Sequence, residues 1–276
     1  MRNCLNSTVI RFSGPDVRQV LQGQTTRNFA NASIRTPLMG AFCDLKGRVL
    51  TDFLALITDD SQVLMRVHSS VADKLLEHLK KYLMFSKTDA LATELAVRGF
   101  VLAPNSDKDS TIASLPSSVD RGDGLLESWT NDLSEVPEVA QPLTEYQWRC
   151  ELVDIGDAQI VAATWGRYLP QDLNYDRRDL IDFDKGCYTG QEIVARLHYR
   201  GTPKRRLAKL IFSSEITPEL GCSIQDRATG RGVGSIVQFA THDDKVQALA
   251  ELTVNGPLDA LAVGADGHVP SSIDWI

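Results

Sequence analysis

"DKGCYTGQEIVARLHYRG", residues 184–201, sets one cysteine between two glycines, directly before a helix start and with basic residues behind it. Thr189-Gly190-Gln191-Glu192 has the spacing of a capping box. The Thr189 hydroxyl would accept from the Glu192 N–H, and the Glu192 side chain would return to the N–H of Thr189. Tyr188 and Ile193 are spaced for a hydrophobic staple. The pattern predicts a helix over 190–200 that ends at Gly201, carries His198 and Arg200 in its last turn, and pairs Glu192 with Arg196. Cys187 then falls two residues before the cap. The helix dipole favours a thiolate there, and Lys185 adds charge to the same effect. Gly186 and Gly190 would let a ligand or another chain approach the backbone. Two readings follow for Cys187: a reactive, accessible sulfur, or a small apolar filler in a tight strand-to-helix turn. One cysteine without partners is a weak metal site.

Outward from this stretch, short strands and helices alternate. SGPDVRQVLQG (13–23) predicts a helix with Ser13 as cap and Gly23 as its end. CDLKGRV holds a turn closed by Gly47 between extended segments, and RVLTDFLALI and QVLMRV read as strands joined through DDS. SSVADKLLEHLKKYLMF (69–85) is amphipathic. Ser69 or Ser70 would cap it, Val71, Leu75, Leu79 and Tyr82 or Leu83 form the buried stripe, and Glu77 pairs with Lys81. TELAVRGFVLA is a further strand. Residues 104–142, rich in Ser, Asp and Pro, show little periodicity and read as a surface segment or connector. After Pro203 the texture turns all-β, with strand-like runs at the spacing of a small barrel. The fold class is therefore α+β, without the βαβ rhythm of a doubly wound sheet. The division expected is a region of two intertwined α+β subdomains over 1–203 and a C-terminal β-barrel domain over 204–276.

The chain has 276 residues, 43% of them hydrophobic, enough for a sizeable core in two or three subdomains. No apolar run approaches the ~20 residues of a membrane span, so no membrane partner is expected. MRNCLNSTVIRFSG lacks the features of a signal peptide or an organelle presequence. Five scattered cysteines without a CxxC pair support neither a disulfide framework nor a zinc site, and a cytoplasmic protein is expected. The net charge of −7 argues against nucleic-acid binding over the whole surface. Charge is uneven, however: acids crowd residues 105–140, while Arg196, Arg200, Lys204, Arg205 and Arg206 stand in a run without an acid. That run is either a solvated face or a site for a small anion or a local stretch of nucleic acid. Tyr199 is its only aromatic, which argues against direct tRNA binding.

Two further positions draw notice. Asp52 lies on the strand face of Leu50, Leu54 and Leu56, where a carboxylate costs at least ~1–3 kcal/mol unless paired. It is either a strand-end residue reaching water or a group with a partner and a purpose. In QWRCEL, Trp148 is a core residue or a platform for a ring system.

KGCYTGQE, continued by EIVARLHYRG, closely resembles the signature of the YgfZ-type folate-binding proteins, relatives of the T protein (aminomethyltransferase) of the glycine cleavage system. LQGQTT (21–26), CDLKGR (43–48), LKKYLMFSK (79–87) and LPQDLN (169–174) extend the resemblance in order over most of the chain. It is weakest across 105–145. The resemblance implies a three-subdomain cloverleaf around a channel for tetrahydrofolate or a one-carbon derivative of it. It also implies a role in making or repairing iron–sulfur enzymes, including tRNA-modifying ones, which needs the cysteine matching Cys187. Asp52 matches the T protein's catalytic carboxylate, although Thr51 and Arg48 replace its first aspartate and second glycine. Arg149 matches an arginine suited to a carboxylate of folate's glutamate tail. Cys150 and Leu152-Val153-Asp154 depart from the family pattern beside it. Cys187 and Asp52 are thus the candidate reactive residues, and Asp52, Arg149, Trp148, Lys185 and Gln191 the candidate folate contacts. Cys187 would either hold a cluster or sulfur species transiently or act with folate to remove a one-carbon adduct. The alternatives are aminomethyl or one-carbon transfer to tetrahydrofolate, with Asp52 positioning the folate amine, and a scaffold that has lost folate. Whether the protein is an enzyme stays open at this point.

Overall fold

The computed structural model describes residues 4–103, 106–107, 110–112, 117–132, 136, 139–212, 216–242, 245–256 and 258–276. The chain folds into two compact units. One comprises Met1–Leu21, Phe29–Met39 and Phe53–Trp148, the other Gln22–Asn28, Gly40–Asp52 and Arg149–Ile276.

A five-stranded sheet is formed by β1 (Ser7–Ser13), β2 (Pro37–Cys43), β3 (Val49–Asp59), β4 (Gln62–His68) and β5 (Asp89–Ala92), in the order β2-β3-β4-β1-β5. β4 pairs antiparallel with β1, Ser7 opposite His68 and Ser13 opposite Gln62. Every residue of β3 from Val49 to Ile57 is buried, so the strand shows no alternation of apolar and polar residues. α1 (Val17–Gln24) buries Val17 and Leu21. α2 (Ser69–Leu83) buries Val71, Ala72, Leu75 and Leu79, the stripe its 3.6-residue period requires. Its cap is His68, whose Nδ1 accepts from Ser70 N at 3.2 Å, where a serine was expected. Glu77 pairs with Lys80, while the Lys81 ammonium lies 4.8 Å from the Tyr82 ring centroid.

The expectation of a structureless connector over 104–142 is corrected where residues are described. β7 (Ser118–Gly122), β8 (Leu125–Trp129), β6 (Val97–Leu102) and β9 (Ala140–Leu143) make a four-stranded sheet in that order. All of β8 is buried. Glu127, on β8, accepts from Arg66 Nε at 2.9 Å, Arg121 Nη1 at 2.7 Å and Trp129 Nε1 at 2.8 Å. A composition rich in acids does not distinguish a solvated acid from one folded around two guanidiniums. Residues 104–105, 108–109, 113–116, 133–135 and 137–138 of that segment lie outside the described residues.

In the second unit, α3 (Glu145–Asp154) supplies its second half, from Arg149 on, and α4 (Gln191–Arg200) follows the cysteine motif. The C-terminal residues are all β, as the sequence implies. β10 (Arg205–Phe212), β11 (Ser223–Asp226), β12 (Gly232–His242), β13 (Lys245–Thr253), β14 (Leu261–Val263) and β15 (Ser272–Trp275) form a sheet ordered β14-β11-β12-β13-β10-β15. Each neighbouring pair is antiparallel. Leu210, Phe212, Ile224, Ile236, Val246 and Leu252 belong to its own hydrophobic cluster.

Candidate functional site

The site grows from a turn. Asp44 Oδ1 accepts from Lys46 N and Arg48 N, both at 2.8 Å, and Gly47 adopts φ 72° to close the loop. The start of α4 docks onto this turn through Gly190. At Gly190 φ is 84°, and a Cβ would meet Asp44 O at 2.4 Å and Gly47 Cα at 3.0 Å. Only glycine satisfies both the left-handed backbone and that approach. Two glycines 143 positions apart in the chain therefore serve one contact between backbones (190 − 47).

Gly190 itself is the cap of α4, and it has no side-chain cap hydrogen bond. The capping box expected of Thr189 and Glu192 does not form. The Thr189 hydroxyl donates to Gln24 Oε1 at 3.1 Å and its N–H to Gly23 O at 3.0 Å. A tertiary contact has outcompeted the local one. Gln191 Oε1 instead accepts from Tyr188 N at 3.3 Å.

Lys185 is the anchor of the loop. It is buried, and its Nζ donates to Gln22 O, Thr25 O and Arg27 O at 2.7, 2.6 and 2.6 Å. An ammonium has three donors, and all are used. Burial pushes its pKa down to about 8, while the nearby Asp182 carboxylate opposes this. The ammonium also lies 5.0 Å from the centroid of the buried Tyr188 ring. Thr26 completes the clamp, donating to Leu180 O at 2.7 Å and accepting from Ala41 N at 2.9 Å. Lys185 thus ties the loop to LQGQTT. The sequence reading assigned no role to Gln24 or Thr26; the signal was their run of hydroxyls and amides just past a helix end.

Between these fixed neighbours, Cys187 is exposed. Cys43, in contrast, is buried, and burial pushes its thiol far up. Cys150 and Cys222 are raised by burial too. Among the described residues, no group of three or more His, Cys, Asp or Glu could hold a metal ion.

Asp52 is buried, and its Oδ1 accepts from Ile160 N at 2.7 Å. Tyr175 donates to Ala158 O at 2.9 Å; burial and then the Asp52 and Asp157 carboxylates hold its phenol well above the usual range. Asp52 therefore does not reach water as a strand-end residue would. Arg149 is exposed on α3. The neighbouring Trp148 is buried in the other unit, so close to Gly99 that a Cβ there would stand 2.3 Å from its ring. In LPQDLN, Gln171 Nε2 donates to Val194 O at 2.8 Å, and Asn174, at φ 57°, donates to Ile276 O at 2.6 Å. Four of the five motif segments fall in the second unit, but for Leu21 at the start of LQGQTT; LKKYLMFSK lies in the first.

No protein-family model matches the chain. Among curated proteins it is 30% identical over 278 aligned positions to the tRNA-modifying protein YgfZ of Klebsiella pneumoniae (strain 342), covering 90% of this chain and 83% of that one. Among solved structures it resembles the glycine cleavage system aminomethyltransferase T of Bartonella henselae. That match has a TM-score of 0.69 at 13% identity and covers 98% of this chain and 82% of the other. The second likeness is one of fold.

Proposed function

The chain belongs to the family of the tRNA-modifying protein YgfZ, and from that membership we propose a tetrahydrofolate-binding accessory factor for the assembly or repair of iron–sulfur enzymes. Its clients include enzymes that modify tRNA, and Cys187 is its reactive group. The observation that carries this reading is the contrast between an exposed Cys187 on a firmly anchored loop and a buried, inert Cys43. Cys4 is exposed as well; what supports Cys187 over it is its place in the family motif, on a loop fixed by the buried Lys185.

In this reading Asp52 meets the folate amine and Arg149 the glutamate tail. A buried carboxylate and an exposed guanidinium fit a ligand with a polar ring system and an anionic end. Lys185 and Gln191 hold the Cys187 loop, and Trp148 serves the core of its own unit. In this reading the protein acts in the cytoplasm. No helix among the described residues is long and apolar enough to cross a membrane. We also read residues 204–276 as a small barrel built on its own apolar cluster.

The test is a calorimetric titration with tetrahydrofolate, paired with a cellular assay of an iron–sulfur enzyme. One-to-one binding weakened by Asp52→Asn is expected, together with loss of client activity in cells carrying Cys187→Ala. Retained activity in those cells would refute the role of the cysteine, and no binding by folded protein would refute that of folate. Asp52 at the T protein's carboxylate position also supports a second reading, aminomethyl transfer. Methylene-tetrahydrofolate formed from an aminomethylated lipoyl carrier would favour it.

A further inference from the structure

We propose that the C-terminal half of α4 and the residues just after it form a binding face for single-stranded RNA, beside the loop that carries Cys187. The basic run divides in the structure. Arg205 is engaged by Glu251 at 2.6 Å, and Arg206 holds Asp176 through two contacts at 2.6 and 3.0 Å. Arg196, Arg200 and Lys204 are exposed and make no ion pair among the described residues. The pair expected between Glu192 and Arg196 is not formed, because such an exposed pair gains little over the entropy of holding it.

The fold also brings one aromatic ring from outside the run against the two rings within it. Phe183, from the cysteine loop, stacks on His198 with centroids 3.6 Å apart and planes at 13°. Tyr199 stands edge-on to His198 at 4.8 Å and to Phe183 at 6.2 Å, and 62% of it is exposed. A surface groove runs past Glu192, Ala195, Arg196, Tyr199 and Arg200. Glu192 is the one carboxylate among these lining residues, set against Arg196 and Arg200.

Unpaired guanidiniums one helical turn apart suit phosphates, and an exposed ring on a rigid stack suits an unpaired base. An acidic protein would use the cations but not the ring. A duplex hides its base faces, so the fit is to a single strand. This inference needs neither folate nor the thiol, and its test leaves both aside.

The experiment is fluorescence anisotropy of a labelled RNA of about 12 nucleotides, titrated with the full chain at several salt concentrations. Three phosphate contacts give a slope of log K against log salt near −2, at roughly 0.7 for each contact. Arg196→Gln and Arg200→Gln should each lower that slope by about 0.7, and Tyr199→Ala should weaken binding about tenfold with the slope unchanged. All three positions are exposed, so circular dichroism should show unchanged folding. Absence of saturable binding at roughly 50 mM salt, or equal affinity across the folded variants, would overturn the proposal. So would displacement of the RNA by a polyglutamate peptide whose own binding ignores Tyr199, which would assign the face to an acidic protein.

Discussion

Lys185 gathers three carbonyl acceptors onto one ammonium, and that convergence fixes what its loss should do. Lys185→Met would leave three backbone oxygens facing an apolar chain, at a cost of about 2–3 kcal/mol; urea unfolding would show a lower midpoint. Lys185→Arg should not restore it, because a planar fork cannot aim three donors from one nitrogen. Gly190→Ala combines a left-handed backbone with a Cβ 2.4 Å from Asp44 O. A loss of about 2–4 kcal/mol is expected, and a midpoint within error of the parent would mean that the turn and α4 do not meet as described. Cys187→Ala, at an exposed position, should change stability by no more than about 0.5 kcal/mol. Function and stability therefore separate at neighbouring residues of one motif.

At the scale of elements, Glu127 organises the sheet β7-β8-β6-β9 by accepting from two arginines and an indole. Burial alone would raise its pKa, but the Arg66 and Arg121 guanidiniums hold it below the ordinary value. Glu127→Gln would leave two buried guanidiniums facing an amide, and a loss of about 3–5 kcal/mol is expected by denaturant titration. A loss under about 1 kcal/mol would show that the cluster behaves like a surface pair. The same residue explains why β8 was hard to see in the sequence. Its central acid reads as solvated until Arg66, 61 positions away, is known to meet it. α2, by contrast, was legible because its stripe needs no distant partner. The helix at 190–200 was legible too, but its cap was not: Thr189 found Gln24 across 165 positions, and no local rule anticipates that.

Across the whole molecule, the motifs identified the family, yet they did not reveal that residues 22–28 and 40–52 leave their sequence neighbours to join the second unit. Local patterning carries no signal for such an exchange; convergent hydrogen bonds do. Convergence also governs the response of the fold to pH. Glu251 on β13 is 3% exposed, and its Oε1 accepts from Arg205 at 2.6 Å and Ser235 at 3.2 Å. Its other oxygen is buried without a hydrogen-bond partner among the described residues. Burial, against the pull of Arg205 and with the Asp172 carboxylate adding to it, raises the pKa from 4.5 to about 7. Between those values the folded chain holds a proton that the unfolded chain has released, so stability falls as pH rises across that window. The size is at most about 3 kcal/mol, at 1.36 kcal/mol for each pK unit. Glu127 acts in the opposite sense: its depressed pKa stabilises above the ordinary carboxylate range and loses that contribution as pH falls through it. The contributions of these two groups are both present only on the acid side of neutrality, above the depressed pKa of Glu127 and below the raised one of Glu251. Urea midpoints measured between pH 4 and pH 8 should peak there, and Glu251→Gln should flatten the decline toward neutral pH. A variant declining as steeply as the parent would remove Glu251 as the cause.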